Sequence, residues 1–183
     1  MLKNFAEEGR AVYLPKFIAS YPSQWDEFIN YIDFCYQQSD PEQMTIHKEE
    51  FMKGGRVRRG FLQIWGYMTI FAENPKKEHF LTLGNIYEKI ELEMERKKES
   101  SFAIVNMSSK ENITNRHSDL THNLYFQCIG SVIWKIYEDE TSSNFEEYTL
   151  QPGDAIFVPI GVSHEVVSLS PRAAITVAFS DIN

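Results

Sequence analysis

The sequence predicts a mainly β chain: a sandwich or barrel of short strands in its second half, with helices from its first half packed on one face. Three observations carry this expectation. After Ser100, apolar and β-branched runs punctuated by Gly, Pro, Asn and Ser follow one another with no helical period between them. Before Ser100, two stretches repeat their apolar residues at three- and four-residue spacing, as amphipathic helices do. The 183 residues are 43% hydrophobic and 24% charged, which suits a single domain that buries its own core. Residues 1–100 therefore read as helical and strand support, and residues 101–183 as the β core.

Taken in order, residues 12–17 form a short apolar run containing Pro15, expected as an edge strand or ordered arm. Ser20 and Pro22 suit a helix start, and Trp25, Phe28, Ile29, Ile32 and Tyr36 form the helical stripe that follows. That stripe is expected to pack on the outside of the β core. Residues 53–60, with Lys53, Arg56, Arg58 and Arg59 among glycines, are the one basic cluster; no GKS/T follows, so they read as a hairpin tip and not a phosphate loop, with contact to an acidic substrate as the alternative. Residues 61–71 read as a strand stopped by Asn74-Pro75. Leu83, Ile86, Tyr87, Ile90 and Met94 mark a helix over 83–98, with charges on its exposed remainder and basic residues in its last turn. Strands are then expected at 102–107, 124–134, 148–150, 155–159, 165–169 and 173–179, with a loop at 138–146.

A formal net charge of −8 argues against bulk nucleic-acid binding, which needs a positive field to meet phosphates. The two cysteines, Cys35 and Cys128, give no disulfide framework and suit a reducing, cytoplasmic compartment. The first ten residues lack an apolar signal core, and no apolar run is long enough to span a membrane.

The chemistry gathers at His117-Ser118-Asp119 and His164. On an extended strand, residues two apart project to one side, so His117 and Asp119 offer an imidazole and a carboxylate to one point. Gly153, Pro159 and Gly161 punctuate a hairpin expected to deliver His164 as the third ligand. Two imidazoles and one carboxylate match the facial triad of non-haem Fe(II) oxygenases, and the same set can hold Zn²⁺ with a water in a fourth position. His47 and His79 lack such partners, and His122 stands as a candidate supporting or substrate contact.

Read together, His117-x-Asp119, Asn123, Gly130, Gly153, Pro159-x-Gly161 and His164 resemble the two motifs of the cupin superfamily. Asp119 in place of a second histidine, with Asn123, Gln127 and Trp134-Lys135-Ile136-Tyr137, is more similar to the Jumonji-C-type 2-oxoglutarate oxygenases. The resemblance covers residues 102–179. It implies a double-stranded β-helix (a cupin-type jelly roll), Fe(II) held by His117, Asp119 and His164, 2-oxoglutarate as cosubstrate, and hydroxylation of a C–H bond in a small-molecule or peptide substrate.

The chain departs from that pattern at Val132, where Jumonji-C-type enzymes commonly carry a lysine for the distal carboxylate of 2-oxoglutarate. Arg172 is the candidate replacement. It opens the final strand, on a small and polar face with Ala174, Thr176 and Ala178, and guanidinium binds carboxylate bidentately. Asn123, Tyr125, Thr176 and Lys135 are the further cosubstrate candidates, although Lys135 points away from Val132 and Trp134 on a regular strand. A metal-binding cupin with another activity, such as a non-2-oxoglutarate dioxygenase or isomerase, and a β-helix that only binds a ligand remain the alternatives.

Overall fold

The computed structural model describes residues 2–18, 24–30, 45–46, 61–67, 101–108, 110–111 and 113–179. The chain opens with α1 (Leu2–Glu7) and β1 (Val12–Leu14) and continues with β2 (Thr45–Ile46) and β3 (Phe61–Tyr67), and from Ser101 onward every described element is a strand. The later strands are β4 (Ser101–Ser108), β5 (Ile113–His117), β6 (His122–Ile129), β7 (Val132–Tyr137), β8 (Phe145–Leu150), β9 (Ala155–Val158), β10 (His164–Ser168) and β11 (Arg172–Phe179). They form a seven-stranded sheet, ordered β1-β9-β6-β11-β4-β3-β2, and a four-stranded sheet, ordered β5-β10-β7-β8. Every pairing is antiparallel, and from β4 onward the chain passes back and forth between the sheets, interrupted by the β7–β8 hairpin. This is the jelly-roll arrangement expected of the second half, with β1, β2 and β3 of the first half extending the larger sheet.

The interior lies between the sheets. Tyr125, Ile156, Val158 and Ala174 of the large sheet meet Val132, Trp134, Leu150 and Val166 of the small one in one apolar cluster. Alternation sends Leu124, Phe126 and Cys128 to the opposite face of β6, where they too are buried. The helical turn at residues 25–30 lies on that outer side. Burial first, and then the charge of Glu27, hold the Cys128 thiol well above the usual range. Phe28, Phe126 and Phe157 are fully buried, each stabilising the fold by roughly 1.5–3 kcal/mol. The turn at 25–30 thus lies beside the outer face of the large sheet, away from the space between the sheets.

Four expectations change. Residues 124–134 are two strands, because the chain turns at Gly130 with φ 73°. A Cβ there would lie 2.3 Å from the backbone oxygen of Pro171, so both the left-handed conformation and the close approach call for glycine. The segment from Gly153 to His164 is not a hairpin. β9 pairs with β6 and β1 whereas β10 pairs with β5 and β7, so Pro159 and Gly161 carry the chain across from one sheet to the other. Strand β8 starts at Phe145, which shortens the loop expected at 138–146. Ile29 is 48% exposed, so the helical stripe is narrower than its spacing suggests.

The basic cluster at 53–60, the helix expected over 83–98, His47, His79 and Cys35 lie outside the described residues. Among the described residues, no helix is long and apolar enough to cross a membrane.

Candidate metal centre

His117 and His164 are direct cross-strand partners on β5 and β10. Their facing is not a product of simple alternation. Val166 pairs with Thr114, so two residues of β10 span three of β5, and the extra β5 residue forms a bulge. That bulge turns His117 to the side that carries His164, with the rings 4.3 Å apart. Asp119 lies beyond the end of β5, so the extended-strand argument that placed it beside His117 does not describe its position. Gly161 N donates to Asp119 O at 3.1 Å, tying the turn after β5 to the turn before β10. Gly161 has φ 77°, which only a glycine adopts without strain.

The ligand atoms of His117, Asp119 and His164 all lie within 4.8 Å of one another. Asp119 Oδ1 is 3.6 Å from His117 Nε2, and Oδ2 is 3.6 Å from His164 Nε2. Each imidazole is aimed by its other nitrogen. His117 Nδ1 donates to Asn115 O at 2.7 Å and His164 Nδ1 to Val162 O at 2.9 Å, leaving both Nε2 lone pairs toward the carboxylate. Burial, and then the neighbouring His117, lower the pKa of His164, which favours the neutral form a metal requires. Asn123 Nδ2 donates to Asp119 Oδ2 at 2.6 Å, occupying one carboxylate oxygen and orienting the other. The donor set therefore fits a divalent metal. The side chains of His117 and Asp119 are 38% and 34% exposed, so one side of the trio is open.

A second polar cluster lies deeper between the sheets. Arg172 is 3% exposed. Its Nε donates to Ser168 Oγ at 2.8 Å, and Nη1 donates to the Tyr125 hydroxyl at 2.5 Å. Tyr125 in turn donates to Gln127 Oε1 at 2.7 Å, and Ser168 Oγ is 2.8 Å from Ser108 Oγ. Burial pushes the Tyr125 phenol up to about 12 against the opposing pull of Arg172, so it remains a protonated donor. Among the described residues, no carboxylate pairs with Arg172. A buried cation left unpaired is costly, so this site suits an anion.

Trp134 joins the two clusters. Its indole stacks on the His164 ring at 5.1 Å and meets the Tyr125 ring edge-on at 4.9 Å.

The residues expected from sequence fall on both sides of this interior. Asn123 serves Asp119, which makes it a positioning group for the carboxylate. Thr176 is cross-strand from Tyr125, at the Arg172 end. Lys135 is the correction among the cosubstrate candidates. It stands directly across from Glu165 and donates to it at 2.8 Å, on the strand face opposite Trp134. His122 accepts from Ile160 N at 3.2 Å and stacks on Phe157, so it braces the turn before His164.

Sequence reasoning missed Arg116. It donates to Ser163 Oγ at 3.0 Å, to Ser142 O at 2.8 Å and to Asp139 O, and lies 3.8 Å over the Tyr137 ring. It fastens the 138–144 loop beside both histidines. Its position next to His117 was the available signal, but the bulge that aims it leaves no mark in the residue pattern.

No protein-family model matches the sequence, and no curated protein does. Solved structures do match. One is YcfD, a ribosomal oxygenase from Escherichia coli in complex with cobalt and 2-oxoglutarate. It is 18% identical over 100% of this chain and 52% of that one, with a TM-score of 0.62. Another structure of E. coli ycfD matches at 16% identity over 98% of this chain and 53% of that one, with a TM-score of 0.61. KdgF from Halomonas sp. matches at 18% identity over 45% of this chain and 71% of that one, with a TM-score of 0.39. This chain spans about half the length of the ribosomal oxygenase, and the likeness shows that they share the double-stranded β-helix fold.

Proposed function

We propose that this chain is an Fe(II)- and 2-oxoglutarate-dependent oxygenase that hydroxylates a C–H bond of a small molecule or peptide. One observation carries the reading: an open trio of two imidazoles and a carboxylate shares an interior with a buried arginine that no carboxylate neutralises among the described residues. A metal site alone would suit many cupin-type proteins. Adding a buried cation on the same side selects a cosubstrate that can meet a metal at one end and a guanidinium at the other. The ribosomal oxygenase of similar fold is described with cobalt and 2-oxoglutarate, which agrees with the reading by analogy of fold.

In this reading His117 Nε2, His164 Nε2 and Asp119 hold the iron. Bound Fe(II), with 2-oxoglutarate and O₂, supplies the oxidising power for the C–H bond. The chain's own contribution is placement. The carbonyls of Asn115 and Val162 fix the imidazole tautomers, Asn123 holds the carboxylate, and Arg172 takes the distal carboxylate of the cosubstrate with Tyr125 and Ser168 fixing the guanidinium. The apolar cluster of Val132, Ile156 and Val166 keeps bulk water from the space between.

The test is iron-dependent release of succinate from 2-oxoglutarate, measured with a library of small molecules and peptides. Succinate formation that rises with one substrate class supports the proposal. No binding of 2-oxoglutarate by the iron-loaded chain would favour a metal-dependent cupin with another activity.

A further inference from the structure

Trp134 carries a donor that the arrangement described so far does not use. The residue is 5% exposed, and its Nε1 is the buried side-chain polar atom that finds no hydrogen-bond partner among the described residues. An indole N–H left without an acceptor in a dry interior forfeits the bond it makes to water when unfolded. Natural interiors rarely accept that loss, and a buried Trp normally reaches a partner.

The surroundings indicate what the partner must be. The indole lies between His164 of the metal trio and Tyr125 of the Arg172 cluster. The acceptors nearest in kind are already engaged: the Tyr125 hydroxyl accepts from Arg172, and Gln127 Oε1 accepts from Tyr125. The Asp119 Oδ2 oxygen accepts from Asn123. Asp119 Oδ1 and the two imidazole Nε2 atoms converge on the metal position, so among the described side chains the groups left for a ligand between the clusters are donors, namely the indole N–H and the guanidinium.

We propose that Trp134 Nε1 donates a hydrogen bond to an oxygen of the bound oxo acid, making Trp134 a binding residue for the cosubstrate alongside Arg172. The inference rests on the function proposed above and adds a selectivity element to it. With donors on both sides and a metal at one end, the interior selects an acceptor-only dianion, a 2-oxo dicarboxylate, over a neutral or hydroxylated molecule of the same length. Stacking on His164 gives the indole a second consequence, since the ring that binds the ligand also limits rotation of a metal ligand.

The decisive experiment follows the indole N–H itself. In ¹⁵N-labelled, Zn(II)-loaded protein, the three tryptophan side-chain resonances are sorted with Trp25→Phe, Trp65→Phe and Trp134→Phe, and 2-oxoglutarate is titrated in. The Trp134 N–H proton is expected to move downfield, and calorimetry is expected to show Trp134→Phe binding 2-oxoglutarate about tenfold to a hundredfold more weakly, the loss typical of a hydrogen bond to a charged acceptor. Zn(II) affinity should stay within about threefold, and the metal-free variant should melt no lower than a cavity of that size predicts, because no native hydrogen bond is lost. Wild-type binding with an unmoved indole resonance and equal affinity in Trp134→Phe would overturn the assignment while leaving the proposed function standing. Should wild type not bind 2-oxoglutarate at all, the proposed function fails first. The wild-type indole resonance is then followed against succinate, oxalate and phosphate. A downfield shift with one of these retains Trp134 as an anion donor, and no shift with any of them overturns it. The wild-type titration needs no folded Trp134 variant, since the other two substitutions identify the remaining peak.

Discussion

The two polar clusters between the sheets solve opposite problems. The metal trio sits at strand ends and in a turn, with His117 and Asp119 about one-third exposed. Its ligands are held by short hydrogen bonds to backbone carbonyls and to Asn123, because loose side chains near solvent need aiming. The Arg172 cluster also uses strand ends, with Ser168 closing β10 and Arg172 opening β11, but Arg172 is only 3% exposed. Packing already aims its groups, and what it lacks is a countercharge. One end of the interior is therefore organised for geometry and the other for electrostatics, and a ligand spanning both would satisfy each.

The largest effect is expected where geometry and charge coincide. Asp119→Ala removes the only carboxylate of the trio, and stoichiometric binding of Fe(II) should be lost by calorimetry or by competition with a chromogenic chelator. Full stoichiometry in that variant would remove the trio from consideration. Next comes Arg172→Ala. Losing one member of a buried charge pair costs about 3–5 kcal/mol, so the 2-oxoglutarate dissociation constant should rise about a hundredfold or more, with metal affinity nearly unchanged. If both affinities fall together, the two clusters are one coupled unit and the contrast drawn above is wrong.

Asn123→Ala sharpens the same contrast from the other side. It takes away the hydrogen bond to Asp119 Oδ2 and leaves every ligand in place. A supporting residue of this kind is worth about tenfold to a hundredfold in metal affinity. The loss should appear in the metal titration first and in 2-oxoglutarate binding only through the metal. An equal loss of 2-oxoglutarate affinity in the metal-free protein would make Asn123 a cosubstrate contact after all.

How far these clusters were legible in the sequence follows from the forces that form them. His117, Asp119 and His164 were readable because metal ligation demands particular residue types at a recognisable spacing. Arg172 was pointed to by the resemblance, since Val132 stands where Jumonji-C-type enzymes commonly carry a lysine and the small residues Ala174 and Ala178 share the Arg172 face. The strand run after Ser100 was readable too, since its turns are written in Gly, Pro and Ser. The β5 bulge that brings His117 opposite His164 was not, because one extra residue in a strand changes pairing without changing composition. The crossing of the chain from β9 to β10 was also hidden. A Pro-x-Gly turn looks alike whether it joins neighbours in one sheet or facing strands in two. The partnerships of Arg172 with Tyr125, on β11 and β6, and of Trp134 with His164, on β7 and β10, are set by which strands pair, so no local pattern announces them.

The pH response should expose the buried member of the trio. Burial and then His117 hold His164 below its ordinary pKa, so the unfolded chain takes up a proton at higher pH than the folded chain does. The stability due to neutral His164 is complete above the unfolded value of about 6.5 and is lost as pH falls below it, with a slope of up to about 1.4 kcal/mol per pH unit. Melting of the metal-free protein between pH 7.5 and about 5.5 should therefore fall more steeply for wild type than for His164→Gln. Parallel curves would show that His164 is as free to protonate in the folded chain as in the unfolded one.

The smallest effect is expected from Lys135→Ala, and its smallness is the informative part. Lys135 is the neighbour of Trp134 on β7 and was a candidate for the cosubstrate carboxylate. Yet its ammonium lies 2.8 Å from Glu165 across the strand pair, and that hydrogen bond, opposed by partial burial, raises its pKa. A partly exposed pair of this kind contributes about 0.2–1 kcal/mol. Adjacent residues on a strand face opposite sides, so Trp134 and Lys135 divide the inside of the barrel from the outside at one peptide bond. Lys135→Ala should thus lower the melting temperature slightly and leave 2-oxoglutarate affinity within about twofold, whereas Trp134→Phe should weaken 2-oxoglutarate binding about tenfold or more. A hundredfold loss of 2-oxoglutarate affinity in Lys135→Ala would place the anchor on the outer face and dissolve the division between the two clusters, because the ammonium would then have to leave Glu165 and enter the interior on binding.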